Sequence, residues 1–281
     1  MILDAHTHLG GVRSGGEGLR GWVYVSVGDL LNYMDTCGIS KAVVLPIEKV
    51  PGIGEDLWLT ERVLEACGEH PGRLIPFCTV NPSVEDVEAR IKTYVEKGCR
   101  GFGEHRVPIP VDHPANVSIY TACEAQGIPV LLEISGAYNY GFESFMKIVS
   151  AFPRLVFIAH GPGWWREVSA EPDRSMNYPS GPVKPGGLVE KLLSDRENVY
   201  ADLSATSGYN ALSRDHGFTE GFVERFSHKL IFGTDFPCID REGLQYGPDR
   251  RHLSLLQGLR VTSVALRRIL CENISAVLGL T

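Results

Sequence analysis

Histidine and carboxylate side chains recur in this sequence directly after short apolar runs. The first run, Ile2 to Ala5, is followed by His6-Thr7-His8. Residues two apart on a β-strand project to the same face, so both imidazoles can reach one metal ion. Alone, such a pair is weak evidence, because a structural or surface pair of histidines explains it equally simply.

Later apolar runs end in the same kinds of side chain. The residues at these ends are Glu104, Glu133, His160, Asp202 and Asp235. Individually they have structural explanations, such as a helix N-cap for Asp235 or a hydrogen-bonded core histidine for His160. Three carboxylates in one concave site would repel one another, whereas two divalent ions and a bridging hydroxide balance their charge. If the run ends converge, the sequence predicts a metal site.

The elements that must bring these residues together are repeated strand-helix units. The apolar runs predict strands at 2–5, 42–46, 74–80, 100–104, 129–133, 155–159, 199–202 and 229–234. Helical spacing predicts helices at 28–37, 55–69, 84–97, 115–126 and 141–151, with a Gly-rich loop at 10–21 and an irregular loop at 161–185.

Eight such units predict parallel strands with right-handed crossovers that close into a barrel. We therefore expect an α/β fold, a (β/α)8 TIM barrel, as a single domain over residues 1–281, with its site where strands end. The alternative is an open doubly wound sheet. It would usually carry a phosphate-binding glycine fingerprint after the first strand, which the Gly-rich loop does not match.

The composition argues against nucleic acid and a membrane as binding partners and leaves a small molecule as the expected one. The net charge is -7 and no run of Lys or Arg occurs, which argues against nucleic acid. No apolar stretch has the roughly 20 residues that cross a bilayer, and the start lacks a secretory leader pattern. Seven dispersed Cys without a C-x-x-C pair fit reduced thiols in a cytoplasmic protein. A homodimer is the default expectation for the assembly, because it is the commonest one.

On these residues the sequence resembles the amidohydrolase superfamily, most closely its amidohydrolase-related (family 2) branch. The resemblance spans nearly the whole chain and rests on Asp4-Ala-His-Thr-His8-Leu, Gly103-Glu-His105, Ile128-Pro-Val-Leu-Leu-Glu133, Ala159-His-Gly161 and Phe232-Gly-Thr-Asp235-Phe-Pro. It implies that His6, His8 and Asp235 bind one metal. It also implies that His160 is a second-metal ligand or the catalytic imidazole. Glu104 resembles the bridging strand-4 carboxylate of the TatD-like branch.

Glu133 is the departure from the family pattern, which usually places His at the end of the fifth strand. We expect Glu133 to be a metal ligand, because an ionised carboxylate buried beside Glu104 and Asp235 without one would be costly. The resemblance implies one or two divalent ions, with zinc expected. The added oxygen ligand makes manganese or iron the alternatives.

The resemblance implies a metal-dependent hydrolase. Asp235 would move the proton of the attacking water, and His160 or His105 would stabilise the oxyanion. The alternative is a metal-dependent decarboxylase or lyase of the same branch that acts on unsaturated or aromatic carboxylic acids. A more remote alternative is a degenerate, non-catalytic barrel, in which Glu133 in place of the usual His indicates the loss of function.

Several residues after the strands are candidates for contacting substrate. Arg106, Arg166 and Arg214 follow the fourth, sixth and seventh strands, and with helix N-termini they favour an anionic substrate. Trp164 is a candidate for an apolar wall, and His105 for a polar contact. Structural roles, such as an ion pair that braces a loop or packing of that loop onto the barrel, are equally open for these residues.

The first prediction concerns metal removal. Chelation should lower the melting temperature as well as any activity, because metal binding favours the folded state. Calorimetry of the protein before and after verified metal removal measures this. An unchanged melting temperature would count against the metal site.

Overall fold

The computed structural model describes residues 1–13, 22–49, 56–237 and 250–280. Eight parallel strands in these residues form the predicted TIM barrel. They are β1 (Leu3–Thr7), β4 (Lys41–Val44), β6 (Leu74–Pro76), β7 (Phe102–His105), β8 (Val130–Glu133), β9 (Phe157–His160), β10 (Val199–Asp202) and β11 (Leu230–Ile231). The prediction of a (β/α)8 barrel is confirmed.

The barrel closes at two seams where regular pairing is short. Continuous pairing runs through β1-β4-β6 and through β7-β8-β9-β10-β11. Cys78 bridges to Phe102 between β6 and β7. Across the other seam, Ala5 N donates to Phe232 O at 3.0 Å and Asp235 N donates to His6 O at 2.8 Å. The second seam thus joins the ends of β1 and β11, where three of the predicted ligands lie.

Helices surround the barrel. They are α1 (Val27–Cys37), α2 (Thr60–Glu69), α3 (Val87–Glu96), α4 (Pro114–Gln126), α5 (Phe142–Ala151), α6 (Pro162–Arg166), α7 (Leu188–Asp195), α8 (Ala205–Ser213), α9 (His216–Phe226), α10 (Arg251–Gly258), α11 (Ser263–Arg267) and α12 (Asn273–Val277), with a π-helical turn at Arg268–Glu272. No helix in the described residues has the length and apolar character needed to cross a membrane.

A small antiparallel sheet was not predicted. It consists of β2 (Gly10–Arg13), β3 (Trp22–Val25) and β5 (Asp56–Leu57). The sheet takes the place of the start of the predicted Gly-rich loop and of the first turn of the helix that was predicted from residue 55. Residues 14–21 of that loop lie outside the described residues. Gly10 has a φ of 108°, and a Cβ there would lie 2.7 Å from Asp56 O, so the pairing requires glycine.

Alternate strand residues face two separate cores. One set, including Val43, Leu131 and Ile158, fills the barrel interior together with Ile274 near the C-terminus. The neighbouring residues pack outward under the helices. This two-sided burial is why the strands appear in the sequence as short continuous apolar runs.

Asp4 fixes the seam on which the site is built. Its buried carboxylate accepts hydrogen bonds from Thr234 N at 3.0 Å, Thr234 Oγ1 at 2.6 Å and His6 N at 3.1 Å. One side chain therefore ties β1 to the segment that follows β11. These bonds hold the backbone of His6 and the residue before Asp235 in register.

The second prediction tests this tie. Asp4→Ala should lower the free energy of unfolding by about 3 kcal/mol, because it leaves buried donors without an acceptor. Urea denaturation followed by circular dichroism measures the loss. The control is Asp35→Ala, which removes an exposed ion pair with Arg73 and should cost less than about 1 kcal/mol. Equal losses would contradict the role given to Asp4.

Candidate metal centre

Four side chains bring their donor atoms together at the C-terminal end of the barrel. Nε2 of His6 lies 3.1 Å from Nε2 of His8. Oε2 of Glu104 lies 3.7 Å from the first nitrogen and 3.4 Å from the second. Oδ1 of Asp235 lies 3.4 and 3.2 Å from the same two nitrogens. The structure therefore unites three predicted ligands from β1 and β11 with the predicted carboxylate of β7.

These separations fit a divalent metal. A tetrahedral ion with bonds of about 2.0–2.2 Å places its ligand atoms about 3.3–3.6 Å apart. The five distances, from 3.1 to 3.7 Å, cluster around that edge length. The donor set of two imidazoles and two carboxylates is one that zinc accepts, and its oxygen share also suits manganese or iron.

Both histidines are held with Nε2 facing the centre. Nδ1 of His6 lies 2.6 Å from Oδ2 of Asp202, and Nδ1 of His8 lies 2.8 Å from the carbonyl oxygen of Leu45. A carboxylate or carbonyl oxygen only accepts, so Nδ1 of each ring carries the proton. The Nε2 lone pairs are then available to a cation.

A backbone irregularity at Gly103 turns Glu104 into the site. Phe102 packs outward under the helices, and regular alternation would turn Glu104 outward too. The register of β7 against β8 shifts between Phe102 and His105. Gly103 has a φ of 144°, and a Cβ there would lie 2.5 Å from Leu131 O. The shift sends the Glu104 carboxylate inward.

His105 is turned outward by the same shift, which contradicts its predicted roles. Its ring is buried against α4, where Nε2 lies 2.8 Å from Asn116 Oδ1. Burial lowers the pKa of His105 to about 4, so the ring is neutral at physiological pH. It supports the helix layer and does not reach substrate.

His160 stands beside the four donors. Its Nε2 lies 2.8 Å from Oε1 of Glu104, and its Nδ1 lies 3.5 Å from Oγ of Ser204. Glu104 therefore contacts His6 and His8 through one oxygen and His160 through the other. This position is compatible with both roles predicted for His160, second-metal ligand and catalytic imidazole.

Glu133 is paired with an arginine instead of with the donor cluster. Its Oε2 lies 2.9 Å from Nε of Arg106, whose guanidinium also lies over the Tyr138 ring at 4.7 Å. The sequence argument for Glu133 as a metal ligand left out Arg106, whose guanidinium offsets the buried charge.

The electrostatics of the centre favour positive charge. Burial lowers the pKa of His8, but hydrogen bonding to Asp235 and Glu104 raises it to about 9 overall. Burial raises the pKa of Glu104, but hydrogen bonds from His160, His6 and His8 lower it well below its usual value. Burial also raises the pKa of Asp235, but nearby His6 lowers it, and the net result is a decrease. A metal would displace protons that the imidazoles otherwise hold.

Of two further predicted substrate contacts, Trp164 lies in the segment after β9, and Arg214, which follows α8, contacts that segment. Trp164 is fully buried, stacked on Phe142 and edge-on to Phe145, so it forms no exposed wall. Arg214 donates from Nη1 to the carbonyl oxygen of Pro179 at 3.3 Å, and Arg166 donates from Nη1 to that of Arg174. The contacts of both arginines brace the long loop.

Sequence reasoning missed the residues that hold the site from behind. Asn139 is buried and donates to the carbonyl oxygens of His105 at 2.7 Å and Glu133 at 3.0 Å. Ser204 contacts Asp202, His6 and His160. Neither lies at a strand end, and a polar residue in a loop is normally solvated. Their one sequence signal is position, six residues after Glu133 and two after Asp202.

The third prediction separates the two buried glutamates. Glu133→Gln should keep the wild-type metal content, because its partner is Arg106. The matched variant Glu104→Gln should lose metal, because the substitution weakens the donor atom that faces His6 and His8. Mass spectrometric metal analysis after dialysis decides this. Loss of metal in Glu133→Gln to the same extent would restore Glu133 as a ligand.

Comparison with solved structures supports the fold. An uncharacterised TIM-barrel protein from Bordetella bronchiseptica superposes with a TM-score of 0.69 at 16% identity, covering 99% of this chain and 98% of that one. A probable 2-pyrone-4,6-dicarboxylic acid hydrolase from Acinetobacter baumannii gives 0.65 at 15% identity, covering 99% of both chains. A 5-carboxyvanillate decarboxylase from Novosphingobium aromaticivorans, complexed with manganese, gives 0.61 at 14%, covering 92% of this chain and 81% of that one.

Sequence comparison identifies the family. Comparison with curated proteins gives no match. The family model Amidohydro_2, described as amidohydrolase, matches residues 25–280, which is most of the chain. This span includes Glu104, His160 and Asp235, three of the side chains that meet at the centre. The chain therefore belongs to the amidohydrolase family Amidohydro_2.

Proposed function

We propose that this protein is a metal-dependent hydrolase that acts on a small anionic substrate. The observation that carries the proposal is the donor cluster of His6, His8, Glu104 and Asp235, with its metal-like spacing. A divalent ion bound there would act as a Lewis acid that acidifies water and polarises a carbonyl group. Zinc is the expected ion, with manganese or iron as alternatives.

Asp235 is the proposed general base and acid. Its side chain is 23% exposed, whereas those of His6, His8 and Glu104 are at most 4% exposed. Among these donors it alone is open enough to meet a water molecule and a leaving group. A carboxylate there can accept the proton of the attacking water and pass it to the leaving group.

His160 is proposed to stabilise negative charge that develops on the substrate. It is buried, and it approaches the donor cluster from β9 through Glu104. A fixed imidazole in a site that excludes water stabilises an oxyanion more strongly than water does.

Arg106 is the residue that supports an anionic substrate. It lies two residues after Glu104, and its side chain remains 22% exposed beside Glu133. A guanidinium presents several donors in a plane, so it can contact a substrate carboxylate as well as Glu133. We expect a carboxylated lactone, ester or amide.

Decarboxylation is the second candidate, and His160 is the observation that favours it. Loss of carbon dioxide leaves a carbanion that must take up a proton, and an imidazole beside the centre can supply it. Substrates would then be unsaturated or aromatic carboxylic acids. A decarboxylase is among the structures that share this fold.

The fourth prediction distinguishes these reactions. The protein is loaded separately with zinc, manganese and iron and is given carboxylated lactones, esters and amides and aromatic carboxylic acids in ¹⁸O-labelled water. Hydrolysis incorporates ¹⁸O into the product acid, whereas decarboxylation releases carbon dioxide and shortens the carbon skeleton. We expect metal-dependent incorporation of ¹⁸O.

The control variants test the role of Asp235. Asp235→Asn should lower kcat at least about 100-fold, the usual scale for losing a general base. The exposed Asp195→Asn should leave it unchanged. The metal content of both variants is measured, so that loss of metal is separated from loss of proton transfer. Turnover without metal, or equal rates in the two variants, would refute the mechanism.

A further inference from the structure

Ser204 occupies the N-cap position of a helix, but its side chain makes no capping hydrogen bond. It precedes α8, and serine is favoured at this position because its hydroxyl accepts a hydrogen bond from the first turn. The Ser204 side chain makes no such bond. It is fully buried, at 0% exposure. The hydroxyl is therefore turned away from the helix, and its other contacts show where it acts.

The hydroxyl lies among three residues at the back of the metal centre. Oγ is 2.7 Å from Oδ2 of Asp202 and 3.1 Å from Nδ1 of His6. It is also 3.5 Å from Nδ1 of His160, which is a long contact. The backbone N–H of Ser204 adds a bond of 2.9 Å to Oδ1 of Asp202. One residue thus contacts both oxygens of the carboxylate that holds His6.

The direction of each proton follows from chemistry. The carboxylate of Asp202 only accepts, so the single hydroxyl proton of Ser204 is donated to it. The lone pairs of Oγ then face the Nδ1 atoms of the two rings. The Nδ1–H of His6 is already donated to Asp202, whereas an Nδ1–H of His160 can donate to Oγ. Ser204 thus fixes the carboxylate orientation on which the position of His6 depends, and one oxygen atom links two site histidines.

The backbone at this position is strained, which supports a role beyond packing. Ala205, directly after Ser204, has a φ of 60°. A residue with a Cβ disfavours this region by roughly 1 kcal/mol or more. The strained backbone and the unused cap both accompany a hydroxyl that is directed at Asp202.

We infer that Ser204 is a positioning residue for the metal centre, acting through Asp202 on His6. The inference rests on the metal site of the proposed function but not on the reaction. Partners that orient a metal-bound histidine typically contribute 10- to 100-fold to metal affinity. Ser204 holds such a partner, so its hydroxyl should contribute at the lower end of that range.

The experiment measures zinc affinity by competition with a chromophoric chelator. Ser204→Ala should weaken zinc binding about tenfold. Asp202→Asn should weaken it at least as much, and the double variant should be no weaker than Asp202→Asn, because Ser204 acts through Asp202. This non-additivity is a result that general destabilisation would not give.

The chain provides a matched control in the same helix. Ser207 is also buried, and its hydroxyl has no hydrogen-bond partner within the described residues. Ser207→Ala should leave zinc affinity within about twofold of the wild type. The melting temperatures of all metal-free variants are measured to show that they fold.

Two results would overturn the inference. Either Ser204→Ala binds zinc as tightly as the wild type, or its effect adds in full to that of Asp202→Asn. A wild-type protein that binds no zinc, manganese or iron would overturn the proposed function as well. Failure to find a substrate would affect only the proposed reaction.

Discussion

Two imidazole nitrogens that lie 3.1 Å apart, each within 3.2–3.7 Å of two carboxylates, are the constraint on which this structure depends. Buried groups of this kind require positive charge between them, either as protons or as a metal ion. The surrounding structure resists their separation. Asp202 and the Leu45 carbonyl hold the rings, and Asp4 ties the strands that carry them.

The remaining acidic charge is kept apart from this cluster. Glu133 would add a third carboxylate to the centre, but Arg106 pairs with it toward the mouth. Burial and the nearby Glu104 carboxylate raise the pKa of Glu133, whereas Arg106 and His160 oppose that rise. The result is a donor cluster and a separate, partly exposed pair of Glu133 and Arg106. The Arg106 guanidinium is the positive charge that is proposed to contact an anionic substrate.

Unusual backbone conformations gather at the strand ends that form the site. Gly103, Gly161, Ala205 and Asp235 all have positive φ angles, from 60° to 144°. Two of them carry side chains, for which this conformation is unfavourable. Regular strands would alternate their side chains strictly and send Glu104 away from the centre. The irregular ends let neighbouring strands direct their ligands to a single point.

The sequence by itself predicted the barrel and most of the side chains that meet at one end of it. Apolar runs at regular intervals specify buried parallel strands, and the side chain after each run must lie at the same end of a barrel. His6, His8 and Asp235 could be placed together for that reason, and the resemblance to the amidohydrolase superfamily implied their role as metal ligands. The tertiary structure decided which neighbour faces inward and which charge pairs with which. A register shift at Gly103 directs Glu104 into the site, as predicted, and His105 outward, and Glu133 pairs with Arg106, which lies 27 residues earlier in the chain. These outcomes depend on strand register and on contacts between distant residues, and neither leaves a periodic signal in the sequence.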